Sequence, residues 1–190
     1  MAGLRDDRTQ WGAVTRVLHW TIASLVLFQL GLGVWMTRRD DLLERFTWTQ
    51  VHKSWGTVVF VLVLGRILWR LASRGRPALP PGTPLWQVRA ARASHALLYV
   101  GMVAMPLSGW VMAASSPTQD LLGMQNLVFG WWPMPDPWVP GDAAIEARAH
   151  AVHVAAAWML AGVLAVHAGA ALWHHFGRRD RVLAAMILGR

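Results

Sequence analysis

Apolar residues fall in long blocks along this chain, and block length sets the first expectation. Four blocks, at 17–36, 54–72, 94–114 and 149–176, carry very little charge and each reaches about 20 residues or more, which is enough for a helix to cross a hydrocarbon core about 30 Å thick. The prediction is an all-α integral membrane four-helix bundle, a single domain over 1–190. Arg5, Asp6, Asp7 and Arg8 precede the first block and no small-residue cleavage site follows it, so it reads as a retained helix rather than a signal peptide. Proline and glycine break the pattern at 74–84. The stretch 115–141, with Pro117, Pro133, Pro135, Pro137 and Pro140, reads as a long, at least partly ordered loop.

Composition narrows the chemistry. Of 190 residues, 55% are hydrophobic, 15% are charged and none is cysteine. A chain without cysteine has no disulfide, no thiolate ligand, no iron–sulfur cluster and no covalent haem attachment. Histidine is then the strong haem ligand in supply, and a bound haem would be of the b type.

Charge predicts orientation. Thirteen arginines and three aspartates sit at the N-terminus, between the second and third blocks and at the C-terminus, whereas the opposite side holds five cations against seven acids. The positive-inside rule then places both termini in the cytoplasm. Trp20, Trp35, Trp55, Trp69, Trp110 and Trp173 lie near block ends, where amphipathic rings prefer the headgroup level. The net charge of +8 therefore reflects topology, and no basic run interleaved with aromatics points to nucleic acid.

His153 and His167 are fourteen residues apart in the fourth block. Such a spacing returns within about 40° of whole turns and spans about 21 Å, so both imidazoles share a face. His150 falls about 100° off that face and reads as interfacial. The outer level offers His52 and His153; the inner level offers His19 and His167, with His95 a rival at the same depth. Intramembrane histidines are costly and functional by default, and two six-coordinate b haems need four ligands in facing pairs.

Three further residues fit that frame by the same count. Gly33 follows His19 by fourteen residues and Gly109 follows His95 by fourteen, so both glycines sit at the outer level, where a porphyrin needs the backbone cleared of side chains; close helix packing is the other use of such residues. Arg66 follows His52 by fourteen and meets either a haem propionate or an inner-leaflet phosphate.

Several segments together resemble the bacterial cytochrome b561 family of small four-helix dihaem proteins. They are Arg16-Val-Leu-His19-Trp20, Val51-His52, Ser94-His95-Ala-Leu-Leu-Tyr99, Pro106-Leu-Ser-Gly109, His153, and Val166-His167-Ala-Gly-Ala-Ala-Leu-Trp-His174-His175. The resemblance covers essentially the whole chain. It implies two b haems in the bacterial inner membrane, with His19 and His167 on the inner haem and His52 and His153 on the outer one. It also implies oxidation of superoxide at the periplasmic face and reduction of ubiquinone near the inner haem. On that mechanism Lys53, with Arg38, Arg39 or Arg148 helping, would draw the anion, and His95 beside Tyr99 reads as the proton donor or equally as a structural partner of a propionate. His174 and His175 read as headgroup contacts or as part of a proton relay. A second reading makes the chain the haem-bearing anchor of a dehydrogenase, passing electrons between a soluble or periplasmic redox protein and the quinone pool; the apolar stretch 121–138 is then a docking surface or rests on the outer leaflet.

Overall fold

A computed structural model describes residues 3–73, 75, 77 and 82–189. The elements run α1 (Ala13–Met36), α2 (Leu42–Ala72), α3 (Leu85–Ala114), α4 (Pro117–Leu121), β1 (Leu127–Val128), β2 (Trp132–Pro133), α5 (Ala143–Trp173), a π-helical turn (His174–Arg178) and α6 (Val182–Leu188). Ala13–Met36, Leu42–Ala72, Leu85–Ala114 and Ala143–Arg178 are long and apolar enough to cross a membrane, so this is an all-α protein with four helices of spanning length among the described residues. Large apolar side chains on them face outward, as a lipid solvent permits: Leu68 is 67% exposed and Trp158 76%.

All four helices start earlier than the apolar blocks do, by twelve residues in α2. Hydropathy marks what a bilayer covers, whereas a helix begins where its first amide groups find partners. Asp41 Oδ1 accepts from Glu44 N at 2.8 Å, and Asp142 Oδ1 accepts from Ala144 N and Ile145 N at 2.8 and 3.1 Å; both aspartates cap helices. Of the segment 74–84, residues 74, 76 and 78–81 lie outside the described residues, and Arg74, Arg76 and Arg190 with them.

The chain forms two compact units. One comprises Met1–Ser24, Leu62–Tyr99 and Leu160–Arg190. Here α6 is held to the start of α1, since Arg16 Nη1 donates to Ile187 O at 2.8 Å and Trp20 Nε1 donates to Met186 O at 2.9 Å. Trp69 Nε1 donates to Thr15 Oγ1, which donates to Asp6. Beyond α5, the left-handed Arg179 ends the π turn, and Asp180 accepts from His174 Nδ1 and from Val182 N. Burial alone would raise the Asp180 carboxyl; those hydrogen bonds and the nearby Arg178 outweigh it and lower its pKa.

The other unit comprises Leu25–Val61 and Val100–Met159, and it contains the whole connection from α3 to α5. That connection is ordered: β1 and β2 pair antiparallel around Phe129 and Gly130, both with positive φ. Phe129 N donates to Ser54 Oγ, Trp110 Nε1 to Pro135 O, and Asp142 N to Ser115 O. The expected loop is thus a small α4 and hairpin tied to α2 and α3.

Candidate functional site

Five of the eight histidines gather into two clusters, one in each unit. In the first, α1 supplies His19, α3 His95 and α5 His167. The ring centroids of His19 and His167 are 6.3 Å apart, and those of His95 and His167 are 5.2 Å apart. Arg66 on α2 donates from Nη2 to His19 Nδ1 at 3.1 Å, and its guanidinium lies 5.9 Å from the centre of the Tyr99 ring. An arginine can only donate, so in this conformation His19 carries its ring proton on Nε2.

In the second cluster, His52 of α2 faces His153 of α5 with ring centroids 6.3 Å apart. His153 Nδ1 lies 3.0 Å from the Met105 carbonyl and 3.1 Å from Ser108 Oγ, both on α3. A carbonyl can only accept, so His153 Nδ1 holds the proton and Nε2 keeps its lone pair, the tautomer a metal ligand requires. Two glycines crowd this pair: a Cβ at Gly109 would stand 3.2 Å from His153 Cε1, and one at Gly33 would stand 3.6 Å from His52 Cε1. The fourteen-residue count, made from His19 and His95, thus led to glycines beside His52 and His153.

Lys53 follows His52 but does not project freely. Its Nζ donates to Asn126 Oδ1 at 2.6 Å, and Asn126 Nδ2 donates to Asp136 Oδ2 at 3.2 Å. Asn126 is buried, so the ammonium is fixed by the loop with a carboxylate behind it. Arg39 stacks on Trp35 at 4.5 Å. Among the described residues no group of three or more His, Cys, Asp or Glu is placed to hold a metal ion; the arrangement is one of imidazole pairs.

A profile of the family described as prokaryotic cytochrome b561 matches residues 10–189. The chain belongs to the prokaryotic cytochrome b561 family. It is 30% identical over 182 residues to cytochrome b561 homolog 2 of Escherichia coli strain K12, covering 94% of this chain and 91% of that protein. Against cytochrome b561 homolog 1 of the same strain the identity is 31% over 176 residues, covering 90% and 92%. A protein of Yersinia pestis named probable superoxide oxidase CybB is 28% identical over 137 residues, 72% of this chain and 73% of that one. Membrership of the cytochrome b561 family makes this a membrane electron-transfer protein and implies b-type haem.

Two histidine pairs fit that cofactor in spacing, and His153 fits it in tautomer as well. An iron about 2.0 Å from a nitrogen on each side, with each ring centre roughly 1 Å behind its nitrogen, separates two imidazole centroids by about 6 Å. Both pairs that the sequence proposed meet this spacing at 6.3 Å, whereas His95 and His167 at 5.2 Å are too close. The glycines against His52 and His153 let these imidazoles lie close to the backbone of α1 and α3.

A cytochrome b561 site read from sequence alone omits four residues that the fold brings in: Gln29, Met105, Ser108 and Asn126. Gln29 had a signal, a carboxamide inside an apolar block. The Met105 carbonyl had none, because a backbone acceptor leaves no trace in residue type.

Proposed function

We propose that this chain is a dihaem b-type cytochrome of the bacterial cytoplasmic membrane, with both termini in the cytoplasm, that oxidises superoxide at the periplasmic face and reduces ubiquinone near the inner histidines. The observation that carries the reading is one geometry found twice, His19 with His167 and His52 with His153, each pair at 6.3 Å. His52 and His153 would hold the outer haem, and His19 and His167 the inner one. Bound haem supplies reversible one-electron iron chemistry. The reaction balances when two superoxide anions each lose one electron and leave as O2, while one ubiquinone takes up two electrons and two protons to become ubiquinol.

The side chains have separable tasks. Lys53 supplies the positive charge that draws the anion beside His52, and Asn126 fixes where that charge sits. Met105 and Ser108 hold the His153 tautomer. Arg66, between His19 and Tyr99, is placed to meet a propionate of the inner haem. His95 adjoins His167 without the spacing of a ligand pair, so it is free to pass a proton to a quinone oxygen. The arginine distribution supports the orientation, and the name of the Yersinia pestis relative supports the choice of superoxide as donor.

The test is a reduced-minus-oxidised spectrum with haem quantitation on purified protein, followed by superoxide-dependent ubiquinol formation. Two b haems per chain and ubiquinol production are expected. A colourless protein sinks the cytochrome reading; two haems without ubiquinol production sink the proposed donor and acceptor.

A further inference from the structure

Gln29 is 9% exposed within a helix of membrane-spanning length, where a carboxamide is retained only if its polar atoms are used. One of them is: Nε2 donates to the His52 carbonyl at 2.9 Å. The absence of a side chain at Gly56, one turn beyond His52, makes this possible, since a Cβ there would stand 3.2 Å from Gln29 Nε2. Because a carbonyl faces Nε2, the amide cannot be turned round, and Oε1 is the atom left over. Gln29 Oε1 is buried without a partner, and so is His52 Nδ1. His153 Nδ1, by contrast, faces the Met105 carbonyl, an acceptor, whereas His19 Nδ1 faces the Arg66 guanidinium, a donor.

A histidine bound to metal through Nε2 carries its proton on Nδ1 and almost always donates it to an acceptor, which fixes the ring's rotation and raises its basicity. His52 Nδ1 is then an unmet donor, and the residue already bonded to the His52 backbone holds an unmet acceptor. We propose that Gln29 is the positioning residue of His52, with Oε1 accepting the Nδ1 proton when iron occupies Nε2. The inference rests on His52 being an axial ligand, as in the function proposed above. Its consequence is electronic as well as steric. A more basic imidazole favours the ferric over the ferrous state, so Gln29 lowers the midpoint potential at this site, and histidine pairs of identical composition come to differ by what faces Nδ1.

The experiment is a potentiometric titration of the purified holoprotein carrying Gln29→Leu, Gln29→Glu or His52→Ala. Gln29→Leu is expected to keep two haems per chain and to raise one midpoint while the other stays. A tenfold change in the ferric-to-ferrous affinity ratio, the lower end of what such partners typically contribute, corresponds to about 59 mV for one electron. Gln29→Glu offers a stronger acceptor and moves the same midpoint down; a side chain that merely filled space would not give opposite signs. If Gln29→Leu does not accumulate, Gln29→Met, unbranched and apolar, takes its place. Unmoved midpoints in the apolar variant, or equal-signed shifts in the apolar and acidic variants, overturn the role of Gln29 even if His52→Ala loses one haem. His52→Ala that keeps both haems overturns the ligand assignment itself.

Discussion

His52 and His153 face each other from α2 and α5 with ring centroids 6.3 Å apart, the same separation as His19 and His167. One spacing, reached independently in two clusters from different helix pairs, is what a shared mode of iron ligation would produce. It also gives each histidine a distinct expected phenotype.

Replacing His153 or His52 by Ala is expected to lower haem content from two per chain to one, and His19→Ala or His167→Ala to remove the other haem. Pyridine haemochrome assay against protein concentration measures this. The two sets should leave different residual α-band spectra; identical residual spectra would mean that the pairs are wrongly assigned.

Gly109 and Gly33 should respond unequally to the same change. In Gly109→Ala the new Cβ meets His153 Cε1 at 3.2 Å, tight enough that the ring must shift, whereas in Gly33→Ala the contact of 3.6 Å is ordinary packing. Overpacking of this kind costs about 1–3 kcal/mol, so Gly109→Ala is expected to release haem at lower temperature while Gly33→Ala behaves as wild type. Thermal release followed by Soret absorbance distinguishes them.

Lys53→Met is expected to slow superoxide oxidation by about tenfold or more and to flatten its dependence on ionic strength, because an attracting charge acts on the association rate and is screened by salt. Haem content should not change. An unaltered salt dependence would transfer the steering role to Arg38, Arg39 or Arg148.

His95→Ala is expected to retain two haems, since its centroid distance of 5.2 Å to His167 does not suit ligation, and to slow ubiquinone reduction by about 10²–10⁴-fold, the usual effect of losing a proton-transfer group. Stopped-flow reduction of ubiquinone by the prereduced protein reads this directly. A variant with normal rates would remove His95 from the site.

Asp7 gives a pH prediction outside the membrane segments. Thr9 Oγ1 and N, then Gln10 N, donate to its carboxylate and lower its pKa to about 2, against about 3.9 for a free aspartate. A carboxyl whose pKa falls on folding stabilises the fold above the unfolded value. That contribution is lost as pH drops from about 4 toward about 2. Carboxyl NMR titration should find Asp7 near 2 in the wild type and higher in Thr9→Val.

Much of this protein is written in the length and register of its apolar blocks. The four spans follow from block length because a bilayer core of fixed thickness acts on each helix separately. His153 and His167 share a face because a helix turns by a fixed angle per residue. The starts of α2 and α5 were missed by hydropathy, which does not register the Asp41 and Asp142 caps.

The partners of those histidines depended on tertiary structure. Helices that are apolar nearly all round carry almost no signal for which face meets which neighbour, so rotation is set by close packing between helices. The resemblance sets His19 opposite His167; packing adds the distances, 6.3 Å from His19 and 5.2 Å from His95. It brings Arg66 to His19 and Gln29 to the His52 carbonyl, and it ties Lys53 to Asn126 across 73 residues of sequence. The sequence determined the spans and which imidazoles share a helix face, because both are properties of one helix; the centroid distances, tautomers and hydrogen-bond partners belong to contacts between helices and were decided by the fold.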